Sequence, residues 1–96
     1  MDKKASFSNY GSSVFVDAPG SNIISAYPRG YYSIVSGTSF SAPIVAATAA
    51  LIRSSNVSNV NTRLASSTIK IDSNNPQYAG QLGYGRIDIL ASVQSR

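Results

Sequence analysis

Apolar residues fall in short blocks punctuated by Gly, Pro, Ser and Asn, and one block is far longer than the others. Val14-Phe15-Val16-Asp17-Ala18 is closed by Pro19-Gly20, Ile23-Ile24-Ser25-Ala26-Tyr27 is stopped by Pro28-Arg29-Gly30, and Tyr31-Tyr32-Ser33-Ile34-Val35 ends at Ser36-Gly37. Blocks of this length bounded by turn residues predict strands over 14–18, 23–27 and 31–35. Their connections are of hairpin length, so antiparallel neighbours are expected. From Phe40 to Ile52 no residue is charged, and only Ser41 and Thr48 carry polar side chains. This block predicts a helix over about 38–54 that is apolar on almost every side, and such a helix is buried inside a larger protein. At about 1.5 Å per residue it runs roughly 25 Å, too short and too rich in Ala, Ser and Thr to span a membrane.

Beyond a polar exit at Arg53-Ser54-Ser55-Asn56, Ser58 can cap a second helix over 59–67, with Val60, Leu64 and Ala65 on one face. Asn56-Val57-Ser58 matches a glycosylation acceptor, a pattern common by chance. Ile69-Lys70-Ile71 reads as a brief strand. Asp72-Ser73-Asn74-Asn75-Pro76 reads as a loop whose oxygens suit turns far more often than a calcium ion. The tail turns at Gly83 and Gly85 and ends in a helix over 87–94, with Ile87, Leu90, Ala91 and Val93 inward. In the first third, Phe7, Phe15, Val16, Ile23 and Ile34 are expected in the core rather than against a ligand.

Composition narrows the classes. Ninety-six residues make at most one domain with a modest core. A hydrophobic share of 43% is that of a globular chain. No cysteine is present, which excludes a disulfide framework and thiolate metal sites. The net charge of +4 is scattered, with Lys3-Lys4 the one adjacent pair, so no nucleic-acid stripe forms. The polar start Met1-Asp2-Lys3-Lys4 has no hydrophobic stretch behind it, and no signal peptide is expected.

The chemistry concentrates at Gly37-Thr38-Ser39. With Thr38 as cap, the first backbone N–H groups of the long helix lack intrahelical partners and point toward Ser39. Those donors and the helix dipole favour negative charge there, as an oxyanion forming during attack by the Ser39 hydroxyl would supply. Pro43 has no N–H and crowds the Ser39 carbonyl, loosening the first turn. A Gly-Thr-Ser ahead of an apolar run is more often only a cap. The longer string Gly37-Thr38-Ser39-Phe40-Ser41-Ala42-Pro43-Ile44-Val45-Ala46-Ala47 nevertheless closely resembles the nucleophile motif of the subtilisin-like serine proteases. Ala5-Ser6-Phe7-Ser8-Asn9-Tyr10-Gly11, Val16-Asp17-Ala18-Pro19-Gly20, Ile23-Ile24-Ser25 and the closing Tyr84-Gly85-Arg86-Ile87-Asp88 look like further segments of that family. The likeness runs along nearly the whole chain, but only to the last third of the family's catalytic domain.

The resemblance implies an α/β fold: the C-terminal part of a doubly wound, subtilisin-like domain, here short antiparallel strands, a long buried helix and two shorter helices, with residues 1–96 a partial peptidase domain. It implies Ser39 as nucleophile and backbone oxyanion donor, Thr38 as oxyanion support, and Ser36, Gly37 and Phe40 beside the substrate. Ile44 and Ala47 stand where many members have His and Gly; neither is a triad position. It implies a polypeptide substrate and an exported, extracellular or cell-envelope setting, with no nucleic-acid or membrane partner and no cofactor or metal in this chain. Calcium stays open for the full domain. The chain has no histidine, and the family's aspartate, histidine and oxyanion asparagine all precede the region matched. In subtilisin one oxyanion donor is worth on the order of 100–1,000-fold and loss of serine or histidine about a million-fold. The chain alone is therefore expected to be inactive, unstable unless it pairs with the missing part of the domain or another chain, and to need that partner for activity. The alternative is a non-catalytic homologue serving as a structural or protein-binding module.

Overall fold

The computed structural model describes residues 2–55 and 57–94. A hairpin, a long helix and two short helices follow one another: β1 (Ile23–Tyr27), β2 (Tyr31–Val35), α1 (Thr38–Ser54), α2 (Val60–Ser66) and α3 (Ile89–Val93). β1 and β2 are antiparallel, with Ile24 opposite Ile34 and Ala26 opposite Tyr32 on one face. The reversal at Pro28-Arg29-Gly30 needs left-handed backbone at Arg29 (φ 67°) and Gly30 (φ 81°), and proline sets the turn's first angle.

Residues 14–18 do not join the hairpin as a third antiparallel strand. They run beside the tail in parallel, with one β-bridge between Asp17 and Arg86. The Asp17 N–H donates to the Gly85 carbonyl, and the Asp17 carbonyl accepts from Ile87, at 2.8 and 2.9 Å. The Pro19–Asn22 stretch between this segment and β1 is bonded instead to the start of α1, through Gly37 and Ser41. Ile69-Lys70-Ile71 likewise forms only a bridge, Ile69 to Arg86. Gly85 is required there, because a Cβ would lie 2.3 Å from the Ile69 carbonyl oxygen.

The core is built where α1, α2 and the tail meet. Ile52, Leu64 and Ile87 are buried against one another, with Val16, Ala18, Val45, Val60 and Val93 around them. The Arg63 side chain ties α2 to α3 by donating to the Ser92 and Gln94 carbonyls at 2.9 and 2.6 Å. The cap of α2 is Asn59 rather than Ser58, its side chain accepting the Thr62 N–H at 3.1 Å. Asp88 caps α3 in the same way through the Ala91 N–H, which starts that helix at Ile89, and Leu90 points to solvent.

Much of the apolar surface has no cover. Of the residues in α1 only Thr48 and Ile52 are buried, while Ala46, Ala47, Ala50 and Leu51 are exposed. Phe7, Phe15 and Ile34, expected in the core, are exposed, whereas Val16 and Ile23 are half-buried. The physical reason is shared: the hairpin packs mainly on itself, and α1 packs mainly on α2 and α3, with Val16 and Ala18 beside them. Among the described residues no helix is long and apolar enough to cross a membrane. The Asn56 acceptor of the glycosylation pattern lies outside the described residues.

Candidate active site: the Ser39 turn

Two chain turns are stitched together around Ser39. Where β2 ends, the Gly37 N–H donates to the Gly20 carbonyl at 2.7 Å, and the Asn22 N–H donates to the Ser36 hydroxyl at 3.0 Å. From the first turn of α1, the Ser41 hydroxyl donates back to the Pro19 carbonyl at 3.0 Å. The Pro19–Asn22 turn thus braces the helix start from outside. Both positions call for glycine, for different reasons. Gly37 sits at φ 148°, a region that side-chain-bearing residues avoid. A Cβ on Gly20 would fall 2.5 Å from the Ser41 hydroxyl oxygen and 3.1 Å from the Gly37 carbonyl oxygen.

Gly37, not Thr38, occupies the cap position, and no side chain caps the helix. Thr38 is already the first helical residue, so its hydroxyl has no N–H to cap. Ser39 follows, exposed. Phe40 closes a tight turn, its N–H donating to the Gly37 carbonyl at 3.0 Å, and its ring covers Gly37. The Ser39 N–H has no acceptor among the described residues, as expected of the first turn of a helix. Ser36, Gly37, Thr38, Ser39 and Phe40 are therefore gathered in one braced turn, with an open hydroxyl beside an unpaired backbone donor. That combination suits attack on a carbonyl and retention of the resulting oxyanion. The sequence has no histidine to serve as its base, and the Lys4 ammonium donates to the Ala5 and Ser8 carbonyls at 2.8 and 3.0 Å.

Behind the turn lies a cleft of about 740 Å³, bordered by Asp17, Pro19, Gly20, Thr38 and Ser41 and by the segment that begins at Asp2. Asp17 is a feature that the strand reading passed over. One carboxylate oxygen is buried without a hydrogen-bond partner, and burial, aided by the nearby Asp72 carboxylate, pushes its pKa up to about 6. A carboxylate set among Val14, Phe15, Val16 and Ala18 was the available signal. The neighbouring Arg86 guanidinium is taken by Asp2 at 2.6 Å.

In the 72–76 loop the side chains of Asn75 and Asp72 are engaged within the chain. The Asn75 side chain is committed to Lys4, Asp2 and Ile71, and Asp72 accepts the Gly80 N–H at 3.2 Å. Among the described residues no group of three or more His, Cys, Asp or Glu comes together.

Residues 1–85 match the sequence profile of the subtilase family, peptidase S8. The chain belongs to the subtilase family. Thermitase of Thermoactinomyces vulgaris is 40% identical over 95 residues, a match that covers 97% of this chain and 33% of thermitase. A thermophilic serine proteinase of Bacillus sp. (strain AK1) is 47% identical over 64 residues, covering 67% of this chain and 16% of that protein. The solved structure of the prenylagaramide maturation protease PagA superposes with a TM-score of 0.69 at 27% identity, covering 96% of this chain and 38% of that one. The patellamide maturation protease PatA gives 0.63 at 31% identity, covering 79% of this chain and 31% of that one. This subtilase chain spans about a third or less of the curated relatives it matches. The small antiparallel sheet with three helices is thus an α/β piece of the subtilase fold.

Proposed function

We propose that this chain supplies the nucleophile segment of a subtilisin-like serine endopeptidase, with Ser39 forming the acyl-enzyme. The observation that carries the reading is the exposed Ser39 hydroxyl beside its own unpaired N–H, in a turn braced by the Gly20–Gly37 and Ser41–Pro19 hydrogen bonds. The Ser39 oxygen attacks the scissile carbonyl, its proton passes to a base, and the Ser39 N–H receives the oxyanion. Thr38 supports that site, and Ser36, Gly37 and Phe40 flank the substrate polypeptide. The base, its carboxylate partner and the second oxyanion donor come from the complementary part of the domain or from another chain. Without that partner the chain is inactive. The bare side of α1 and the hairpin are the surfaces the partner covers, and they leave the isolated chain unstable. Any calcium site belongs to the full domain, with no cofactor held by this chain. An extracellular or cell-envelope setting follows from the exported character of such proteases, with neither nucleic acid nor membrane as partner.

A fluorophosphonate probe tests the reading directly. The assembled protein becomes labelled on a peptide containing Ser39, and Ser39→Ala abolishes the label. Labelling that persists in Ser39→Ala would sink the assignment. The absence of histidine favours one second reading, a non-catalytic module that binds a protease-like partner. In that case no preparation takes up the probe, whatever chain is added.

A further inference from the structure

On a face made by α2 and the tail, Phe15 and Tyr84 form an exposed aromatic corner. Their rings meet edge to face, with centroids 5.5 Å apart and planes at 78°, and the residues are 41% and 50% exposed. Both backbones are fixed. The Tyr84 N–H donates to the Phe15 carbonyl at 2.8 Å, and the Thr68 hydroxyl donates to the Tyr84 carbonyl at 2.8 Å. Gly83, at φ 67°, passes so close to Phe15 that a Cβ would lie 2.3 Å from the Phe15 carbonyl oxygen. The chain thus gives up side-chain freedom at Gly83 to hold two large apolar rings at the surface.

The corner walls a groove of about 510 Å³, whose remaining lining includes Asn61, Thr62, Ser66 and Lys70. A volume of this order suits a small molecule or the end of a peptide. Among the described residues the Asn61 amide and the Thr62 hydroxyl have no hydrogen-bond partner, and the Lys70 ammonium has no carboxylate partner. That ammonium stands 5.8 Å from the Tyr84 ring centroid. Among the described residues no carboxylate lines the groove. Aromatic faces favour a flat apolar body, while an ammonium flanked by free amide and hydroxyl donors favours an anionic acceptor. With no acidic side chain in the lining, nothing there repels an anion.

We propose that this groove binds a carboxylate carried on an aromatic body, either a free aromatic acid or the C-terminal residue of a peptide. The site is independent of the Ser39 chemistry. Its test is a titration of the ¹⁵N-labelled chain, assembled with the complementary part of its domain and giving a dispersed spectrum before any ligand is added, with phenylacetate, with its neutral analogue phenylacetamide, and with the tripeptide Ala-Ala-Phe bearing a free C-terminus. Saturable shifts are expected at the Thr62, Lys70 and Tyr84 amides. Phenylacetamide should bind about two- to fivefold more weakly than phenylacetate, as for loss of an exposed ion pair. Lys70→Met should cause a similar loss for phenylacetate and none for the amide. Tighter binding of the tripeptide than of phenylacetate identifies peptide ends as the source; weaker binding identifies free acids. Lys70 is exposed, so Lys70→Met keeps the test valid even if a Tyr84 variant fails to fold. Ser39→Ala should bind unchanged, which separates this site from the protease reading. Absence of saturable shifts, equal binding of acid and amide, or unaltered affinity in Lys70→Met would each overturn the proposal.

Discussion

Gly20 and Ser41 lie so close that a single methyl group on Gly20 would sit 2.5 Å from the Ser41 hydroxyl oxygen. That hydroxyl is itself held by the Pro19 carbonyl at 3.0 Å, and the Gly20 carbonyl holds Gly37 at 2.7 Å. Adding the methyl must push the Pro19–Asn22 turn away from the start of α1. Gly20→Ala is expected to destabilise the assembled protein by about 1–3 kcal/mol, the usual result of overpacking. It should also slow fluorophosphonate labelling, since the Ser39 turn loses its brace. Ser41→Ala, which removes the clashing atom, should restore part of the stability in the double variant. A denaturant titration of the two single variants and the double variant checks this.

Ser39 itself carries little of the stability. Its side chain is exposed, and the cap position belongs to Gly37 with no side-chain hydrogen bond. Removing a capping hydroxyl costs about 0.5–2 kcal/mol, but Ser39→Ala removes none. We expect its unfolding free energy to match the parent within the scatter of surface substitutions, about ±0.5 kcal/mol. Loss of the probe label then reports chemistry rather than unfolding.

The antiparallel pair and the run of helices were legible in the sequence because each is local. Pro28-Arg29-Gly30 separates two five-residue apolar blocks, and the uncharged run ending at Ile52 has helical length. What escaped was non-local. The partner of Val14–Ala18 is the tail near Arg86, and neither stretch carries a sign of the other. Burial escaped for the same reason: Phe15 and Ile34 have the composition of core residues, yet they stay 41% and 68% exposed. The candidate site was legible as a string around Ser39, while the brace from Gly20 and the orphaned Asp17 oxygen appear only once the turns are folded together.

The asymmetry between covered and bare apolar surface has an energetic consequence. Ile52 is fully buried and joins Leu64 and Ile87, whereas Ile34 is 68% exposed. Ile52→Ala should cost about 2–5 kcal/mol and loosen α1 from α2. Ile34→Thr should cost under about 0.5 kcal/mol in the isolated chain and reduce its aggregation, since it interrupts an exposed apolar patch. In the assembled protein the same Ile34→Thr change weakens association if the partner covers the hairpin. Light scattering on the isolated chain and the association constant with the complementary segment distinguish the two effects.

Asp17 makes stability depend on pH in a direction opposite to that of a salt-bridged carboxylate. Burial first, and the Asp72 carboxylate second, raise its pKa from 3.8 to about 6. The other charged group beside it, Arg86, is engaged by Asp2. Between these two pKa values the folded chain holds a proton that the unfolded chain has released, so stability falls as pH rises through that window. The contribution is complete below about pH 4 and gone above about pH 6. Because Asp17 is only partly withdrawn from water, the change should be on the order of 1 kcal/mol after allowance for screening. Asp17→Asn keeps the shape and removes the charge, so it should stabilise the protein at pH 7 and leave it nearly unchanged at pH 4. Unfolding of both proteins at the two pH values tests the sign, and the side-chain carboxyl carbon of Asp17 should titrate by NMR with a midpoint near 6. A midpoint near 4, or an Asp17→Asn variant less stable than the parent at pH 7, would mean that the buried oxygen has a partner.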